Sequence, residues 1–204
     1  LLQTRASNWL VWLSSFTILA ASIIAISKDD LKARLAYSTI SQLSYIILGA
    51  ALATSFALKG ASFHIITHAI GKITLFFCAG AIYVTAHVKK ISDLGGLGFK
   101  TPLIFFAYTL GALSIIGVPP LVGSWSKAFL VIGSLQADYL FVAILLGVSS
   151  LLNIYYLLQP VFIAFNKKNI KNIHITKAPL AVWPPVVTAV GCLLLFFFSN
   201  YFLN

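Results

Sequence analysis

PLIFFAYTLGALSIIGVPPLVGSWSKAFLVIGSL, residues 102–135, is an apolar run broken at its middle by Pro119 and Pro120. A membrane helix needs roughly 20 apolar residues, so this stretch is too long for one straight span. Each proline removes a backbone donor and clashes with the preceding turn. The run therefore predicts a membrane helix broken near mid-depth, with carbonyls freed at the break. The surrounding sequence is of the same kind. Of 204 residues, 60% are apolar and 9% charged, and mean hydropathy is +0.98. Soluble domains run near 25% charged residues, and a soluble fold of this size has no way to hide so much apolar surface. Soluble-enzyme and disordered-chain readings are excluded on that ground.

Five further runs, about 9–27, 35–58, 61–88, 139–165 and 180–203, complete a set of six spans. Short connections without alternating polarity rule out a barrel. The expectation is an all-α polytopic transmembrane helix bundle, with one transmembrane domain over 1–204 and no soluble domain. Cys78 and Cys192 lie far apart in apolar segments and read as small packing residues, not a metal site or disulfide framework. There is no signal-peptide pattern. The chain opens on Leu1 and contains no methionine, which reads as a piece of a longer protein.

The formal charge of +10 makes no continuous basic face, so nucleic acid is not an expected partner. The charges fall in the connections. Lys28, Lys32 and Arg34 follow the first span, Lys89, Lys90 and Lys100 the third, and Lys167, Lys168, Lys171 and Lys177 the fifth. The opposite side holds only Arg5 and Lys59. This bias places the three basic connections in the cytoplasm and both chain ends outside. The Lys167–Lys177 run has that topological role, with anionic-lipid or partner binding as the alternative.

Two basic residues remain, Lys72 and Lys127, both inside spans. A lysine at the bilayer centre costs about 2.5–3.5 kcal/mol on insertion scales and is a functional candidate by default; the plain alternative is a side chain that snorkels to the headgroups. His64, His68 and Lys72 are spaced four apart, so they share one helix face in a column about 12 Å long. Packing alone explains a single such histidine more readily than three titratable groups in register. Histidine titrates near neutral pH and a desolvated amine can be drawn towards it. Tyr37, Ser38, Ser41, Gln42, Ser44 and Tyr45 give the second span a polar face. It is suited to holding water between titratable groups or, alternatively, to gluing helices together. Asp30, Lys32 and Arg34 stand at its entrance, where Lys32 is either a loop charge or the mouth of the column. The four acidic residues, Asp29, Asp30, Asp93 and Asp138, all lie in connections. This weakens a dedicated Na⁺ site, with backbone carbonyls at the broken helix as the alternative, and no other metal site is read. Proton conduction is what these residues support directly.

Four stretches resemble a known family. DDLKARLAYSTISQLSY (29–45) looks like the D-L-K-R-L-L-A-Y-S-T-x-S-Q-x-G-Y signature of the proton-conducting antiporter family. HIITHAIGK (64–72), SDLGGL (92–97) and GVPPLVGSWSK (117–127) are similar to its H-x-x-x-H-A-x-x-K helix, its R-x-L-x-G-L loop and its G-x-P-P-x-x-G-F-x-x-K break. The resemblance covers residues 29–165. The family includes the antiporter-like L, M and N components of respiratory complex I and the A and D components of Mrp-type multisubunit Na⁺/H⁺ antiporters.

The resemblance implies a fourteen-helix subunit of two inverted repeats, of which this chain would be the C-terminal half, with its second proton half-channel. It makes Lys72, Lys127, His64, His68 and Lys32 relay positions. Asp30, Tyr37, Ser41, Gln42, Pro119 and Pro120 would support them. It implies no cofactor in this chain, other membrane subunits and the bilayer as partners, H⁺ with Na⁺ as the candidate coupled ion, and a bacterial inner membrane. The role implied is that of an ion-transporter subunit, not an enzyme; no flavin, iron–sulfur or nucleotide motif is present. SSLLNIYYL (149–157) looks more like the Mrp D component, while the Gly-x-Pro-Pro break is shared with the N component of complex I. A non-transporting structural remnant is the remaining alternative. Ser44 replaces the usual glycine. Gly71 and Ser124 replace bulkier residues and are expected to widen the cavity.

Overall fold

The computed structural model describes residues 5–166, 175–176 and 178–198, with side chains from Asn8 onward. Lys167, Lys168, Lys171, Lys177, the Arg5 side chain and the end of the sixth span, 199–203, lie outside the described residues. The described elements are helices: α1 (Arg5–Ser27), α2 (Leu31–Leu52), α3 (Ser55–Ala86), a 3-10 turn (Ile91–Asp93), α4 (Leu97–Lys100), α5 (Pro102–Ile116), α6 (Gly123–Gln136), α7 (Leu140–Ala164) and α8 (Pro179–Phe197). Five of them are long and apolar enough to cross a membrane. At 1.5 Å per residue, α5 and α6 run only about 22 and 21 Å. Neither alone crosses a hydrocarbon core of about 30 Å, and together they make the fourth span in chain order.

The break follows from its sequence. Gly117 ends α5 at φ +90°, a left-handed conformation that L side chains rarely adopt. A Cβ on Gly123 would stand 1.8 Å from the Ser114 carbonyl oxygen, so only glycine lets α6 start against the end of α5. Pro119 and Pro120 lie exposed between them.

The second and third spans differ from expectation at their junction. The connection is Ala53 and Thr54, not Lys59 and Gly60. Ala53 takes a left-handed conformation, and Thr54 caps α3 by accepting from the Ala57 amide at 3.2 Å. Lys59 is thus an exposed residue in the second turn of α3. Gly60 marks a helix crossing, since a Cβ there would meet the Leu130 amide of α6 at 2.8 Å. Gly71 also differs: a Cβ would meet Ile115 Cγ1 at 2.9 Å, so it brings α3 and α5 close together and does not widen a cavity.

Two ends of the bundle are tied separately. At the basic end, the Leu31 amide donates to Lys89 O (3.0 Å), the Ile91 amide to Asp29 O (2.8 Å), and the Thr176 amide to Thr85 O (2.9 Å). At the opposite end, Thr54 Oγ1 donates to Gly133 O (3.0 Å) and Tyr139 Oη to Asn8 Oδ1 (2.7 Å). The connections after α1 and α3, with Lys28, Lys32, Lys89 and Lys90, share the basic end. Phe16, Phe106, Leu151, Phe162 and Leu180 are exposed outward, as suits a lipid solvent. Cys78 and Cys192 are buried and free.

Candidate functional site

α2 and α3 run antiparallel with their polar faces together. Ser38 meets Lys72, Tyr45 stacks on His64, and Gly49 approaches Ala61. The same register sets Gln42 against His68. α7 closes the third side with Ser149, Asn153 and Tyr156, spaced along one helix face and all fully buried.

Lys72, 6% exposed, donates from Nζ to Ser38 Oγ at 2.8 Å and to Leu35 O at 3.0 Å. Ser38 Oγ also lies 3.0 Å from Tyr156 Oη, which is hydrogen-bonded to Asn153 Oδ1. One turn away, His68 stacks on His64 with ring centroids 5.8 Å apart, and His64 on Tyr45 at 5.4 Å. His64 Nδ1 is 3.0 Å from Ser126 Oγ, whose hydroxyl donates to Gly123 O at 3.0 Å. Lys127 Nζ lies 5.3 Å from the Tyr45 ring centroid, a cation–π contact. It donates to Ser150 Oγ (3.1 Å) and to Ile116 O (3.0 Å), a carbonyl freed at the end of α5. Lys127 and Ser124 border an open cavity of about 830 Å³.

A file therefore runs Lys72, His68, His64, Tyr45, Lys127. Along it, buried polar atoms lack a hydrogen-bond partner in the protein: both atoms of the Gln42 amide, Tyr45 Oη, His64 Nε2, His68 Nδ1, Ser149 Oγ and Asn153 Nδ2. Tyr45 Oη faces Ser149, Ser150 and Asn153 without a well-aligned bond to any of them. Buried polar groups are normally paired, with protein or with water. Seven such atoms from three helices line one seam between two amines.

The other expected residues sit elsewhere. Lys32 is exposed, 5.7 Å from the Tyr83 ring, on a 170 Å³ pocket with Asp30 and Lys89. Asp30 caps α2, accepting from the Ala33 amide at 2.8 Å. Tyr37 receives Lys28 on its ring. Ser41 faces α1, donating to Ile18 O at 3.0 Å. Ser126, Ser150, Asn153 and Tyr156 were not expected. The signal for the last two was present in polar residues at helical spacing within an apolar run. Among the described residues, no cluster of three His, Cys, Asp or Glu could hold a metal.

Residues 1–153 match the family described as NADH:quinone oxidoreductase/Mrp antiporter, transmembrane. The chain belongs to this family. It is 43% identical over 157 residues to NADH-quinone oxidoreductase subunit N of Desulforudis audaxviator, covering 76% of this chain and 31% of that one. It is 34% identical over 199 residues to NADH-quinone oxidoreductase subunit L of Mycobacterium tuberculosis, covering 93% and 31%. The chain thus spans about a third of the length of these relatives. Its fold matches the Mrp complex from Dietzia sp. with a TM-score of 0.89 at 23% identity, over 98% of this chain and 46% of that one. It also matches respiratory complex I from Thermus thermophilus, with a TM-score of 0.87 at 23% identity, over 97% and 42%. The protein is an integral, multi-pass membrane protein with the antiporter-like fold.

Proposed function

We propose that this chain carries a proton relay within an antiporter-like membrane subunit. H⁺ passes between Lys72 and Lys127 by way of His68, His64 and waters held by Gln42, Tyr45, Ser149 and Asn153. The observation that carries this reading is the seam itself: two amines at the ends of a stacked imidazole–imidazole–phenol file, flanked by polar atoms that the protein leaves unpaired. Water can bridge groups too far apart for a direct hydrogen bond. Imidazole can accept a proton on one nitrogen and release one from the other. Lys32 and Asp30 form the mouth at the basic end, and Ser124 keeps Lys127 open to the larger cavity. Tyr37 and Ser41 hold α2 in place beside it.

Two branches of the family are open to this reading. The SSLLNIYYL stretch favours the D component of an Mrp-type cation/proton antiporter. The 43% identity to the N component favours an antiporter-like subunit of NADH-quinone oxidoreductase. In either case the chain works in a bacterial inner membrane beside other subunits. Proton uptake driven by a Na⁺ gradient in membrane vesicles supports the first branch, and uptake driven by NADH oxidation the second.

The relay is tested by Lys72→Ala in the full-length subunit, assembled in its complex in vesicles. Loss of a positioned proton-transfer group should cut flux by roughly a hundredfold or more, with assembly retained. Wild-type flux in that variant would remove the relay from this chain.

A further inference from the structure

Arg34 sits in the stretch whose charges read as a connection, yet it is only 4% exposed. Its guanidinium makes four hydrogen bonds. Nε donates to Lys28 O at 2.9 Å and Nη2 to Ile26 O at 3.2 Å, both carbonyls at the end of α1. Nη1 reaches α7, donating to Gln159 Oε1 at 2.5 Å and to Tyr156 O at 3.2 Å. That last carbonyl is special. α7 contains Pro160, four residues on, which has no N–H to complete the helical bond to Tyr156 O. Arg34 thus fills a place that proline empties.

The residue whose backbone is held this way is the one whose side chain reaches the partner of Lys72. Tyr156 Oη lies 3.0 Å from Ser38 Oγ, which accepts from Lys72 Nζ at 2.8 Å. The second acceptor of Lys72, Leu35 O, belongs to the residue next to Arg34. One guanidinium therefore fixes both sides of the cradle around this amine. The arrangement needs arginine's rigid planar fork; lysine's single ammonium lacks the reach to bond the ends of two helices at once.

We infer that Arg34 is a positioning residue of the relay: latched onto the Tyr156 carbonyl that Pro160 frees, it holds the Tyr156 hydroxyl on Ser38 and so sets the surroundings of the Lys72 amine. The inference rests on the relay reading above.

The test uses the assembled complex in vesicles, with flux recorded across pH for Arg34→Gln, Tyr156→Phe and the double variant. Each single change should lower flux about tenfold, through loss of the contact between the Tyr156 hydroxyl and Ser38 that both serve. Each should also displace the midpoint of the pH profile to the same extent. The double variant should be no worse than either single one, as expected of groups acting as one unit. Should Arg34→Gln fail to assemble, Arg34→Lys and its double with Tyr156→Phe carry the same comparison. A double variant whose loss is the product of the two singles, or an unmoved midpoint in the Arg34 variant, overturns the inference. A plain structural pin would lower the amount of assembled protein without moving the midpoint. Lys72→Ala in the same vesicles separates the two ideas: wild-type flux there defeats the relay and the latch together. With that flux lost, a failed Arg34 pattern defeats the latch alone.

Discussion

The two faces of α2 use similar residues to opposite ends. Towards α1, Ser41 Oγ donates to Ile18 O and lies 3.0 Å from Ser22 Oγ, which donates to the same carbonyl at 2.8 Å. At this pair the seam is closed: both hydroxyls have partners in the protein, while Ser15 Oγ, seven residues before Ser22 on α1, is buried without one. Towards α3 and α7, one residue along the chain, both polar atoms of Gln42 are buried without a partner, and so are atoms of Tyr45, His68 and Asn153 around it. The contrast shows that polar residues in a membrane helix are not informative by type. What separates helix glue from a candidate conduit is whether their hydrogen bonds are completed within the protein.

The open seam should break most sharply at its ends. Lys127→Arg keeps the positive charge but replaces an amine that can release its proton with a guanidinium that does not. Flux should fall by about a hundredfold while the complex assembles as before, read as vesicle acidification against the yield of assembled complex. Wild-type flux would make Lys127 an electrostatic anchor only. Midway along, Gln42→Leu removes unpaired polar atoms from a buried place, so stability should hold or rise. Flux should nevertheless drop roughly tenfold, because the waters that Gln42 would hold lose their partner. A variant that loses stability and keeps its flux would assign Gln42 to packing.

The closed seam should respond in the reverse sense. Ser41→Ala removes the bond to Ile18 O and the contact with Ser22, but leaves Ser22 bonded to the same carbonyl. Resistance to unfolding in denaturing detergent should fall by about 0.5–1 kcal/mol, and flux should not change. A flux defect there would show that the boundary between the two seams is drawn in the wrong place.

Much of this division was legible in sequence. Six spans and the broken helix followed from apolar run lengths and two prolines. His64, His68 and Lys72 could be placed on one face because four residues return to the same side of a helix. What stayed hidden depended on which helices meet. Gly60 reads as a turn until α6 is seen lying against it. Ser41 and Gln42 are neighbours in sequence and point to different helices, a distinction of about 100° that means nothing without knowing what stands on each side. Arg34 looked like a connection charge because Pro160, which makes its acceptor, is far away along the chain. Asn153 and Tyr156 carried a helical spacing of polar residues, but within a run read only for a branch of the family.

Asp29 extends the comparison to the basic end, where the bonding is again of the closed kind. Its carboxylate accepts from the Ser92 amide at 3.0 Å and the Ser92 hydroxyl at 2.8 Å, stitching the α1–α2 turn to the connection after α3. Slight burial works against its charged form. The Ser92 bonds, with Lys90 and Arg34 nearby, outweigh it and hold the carboxyl below its ordinary 3.8. A carboxylate whose pKa is depressed in the folded state contributes stability above its unfolded value, near 4, and loses it as pH falls through the lower folded value. The brace should therefore hold at neutral pH and weaken below about pH 4. Because the site is exposed, the effect is small and local. Asp29→Asn should speed hydrogen exchange at the Ile91 and Ser92 amides at neutral pH. It should also remove the acid-induced rise in exchange that the wild type shows there, with flux unchanged. If exchange at these amides rises with acid equally in both proteins, the Asp29–Ser92 brace is not what joins the two connections, and their joining would have to come from the backbone bonds of Leu31 and Ile91.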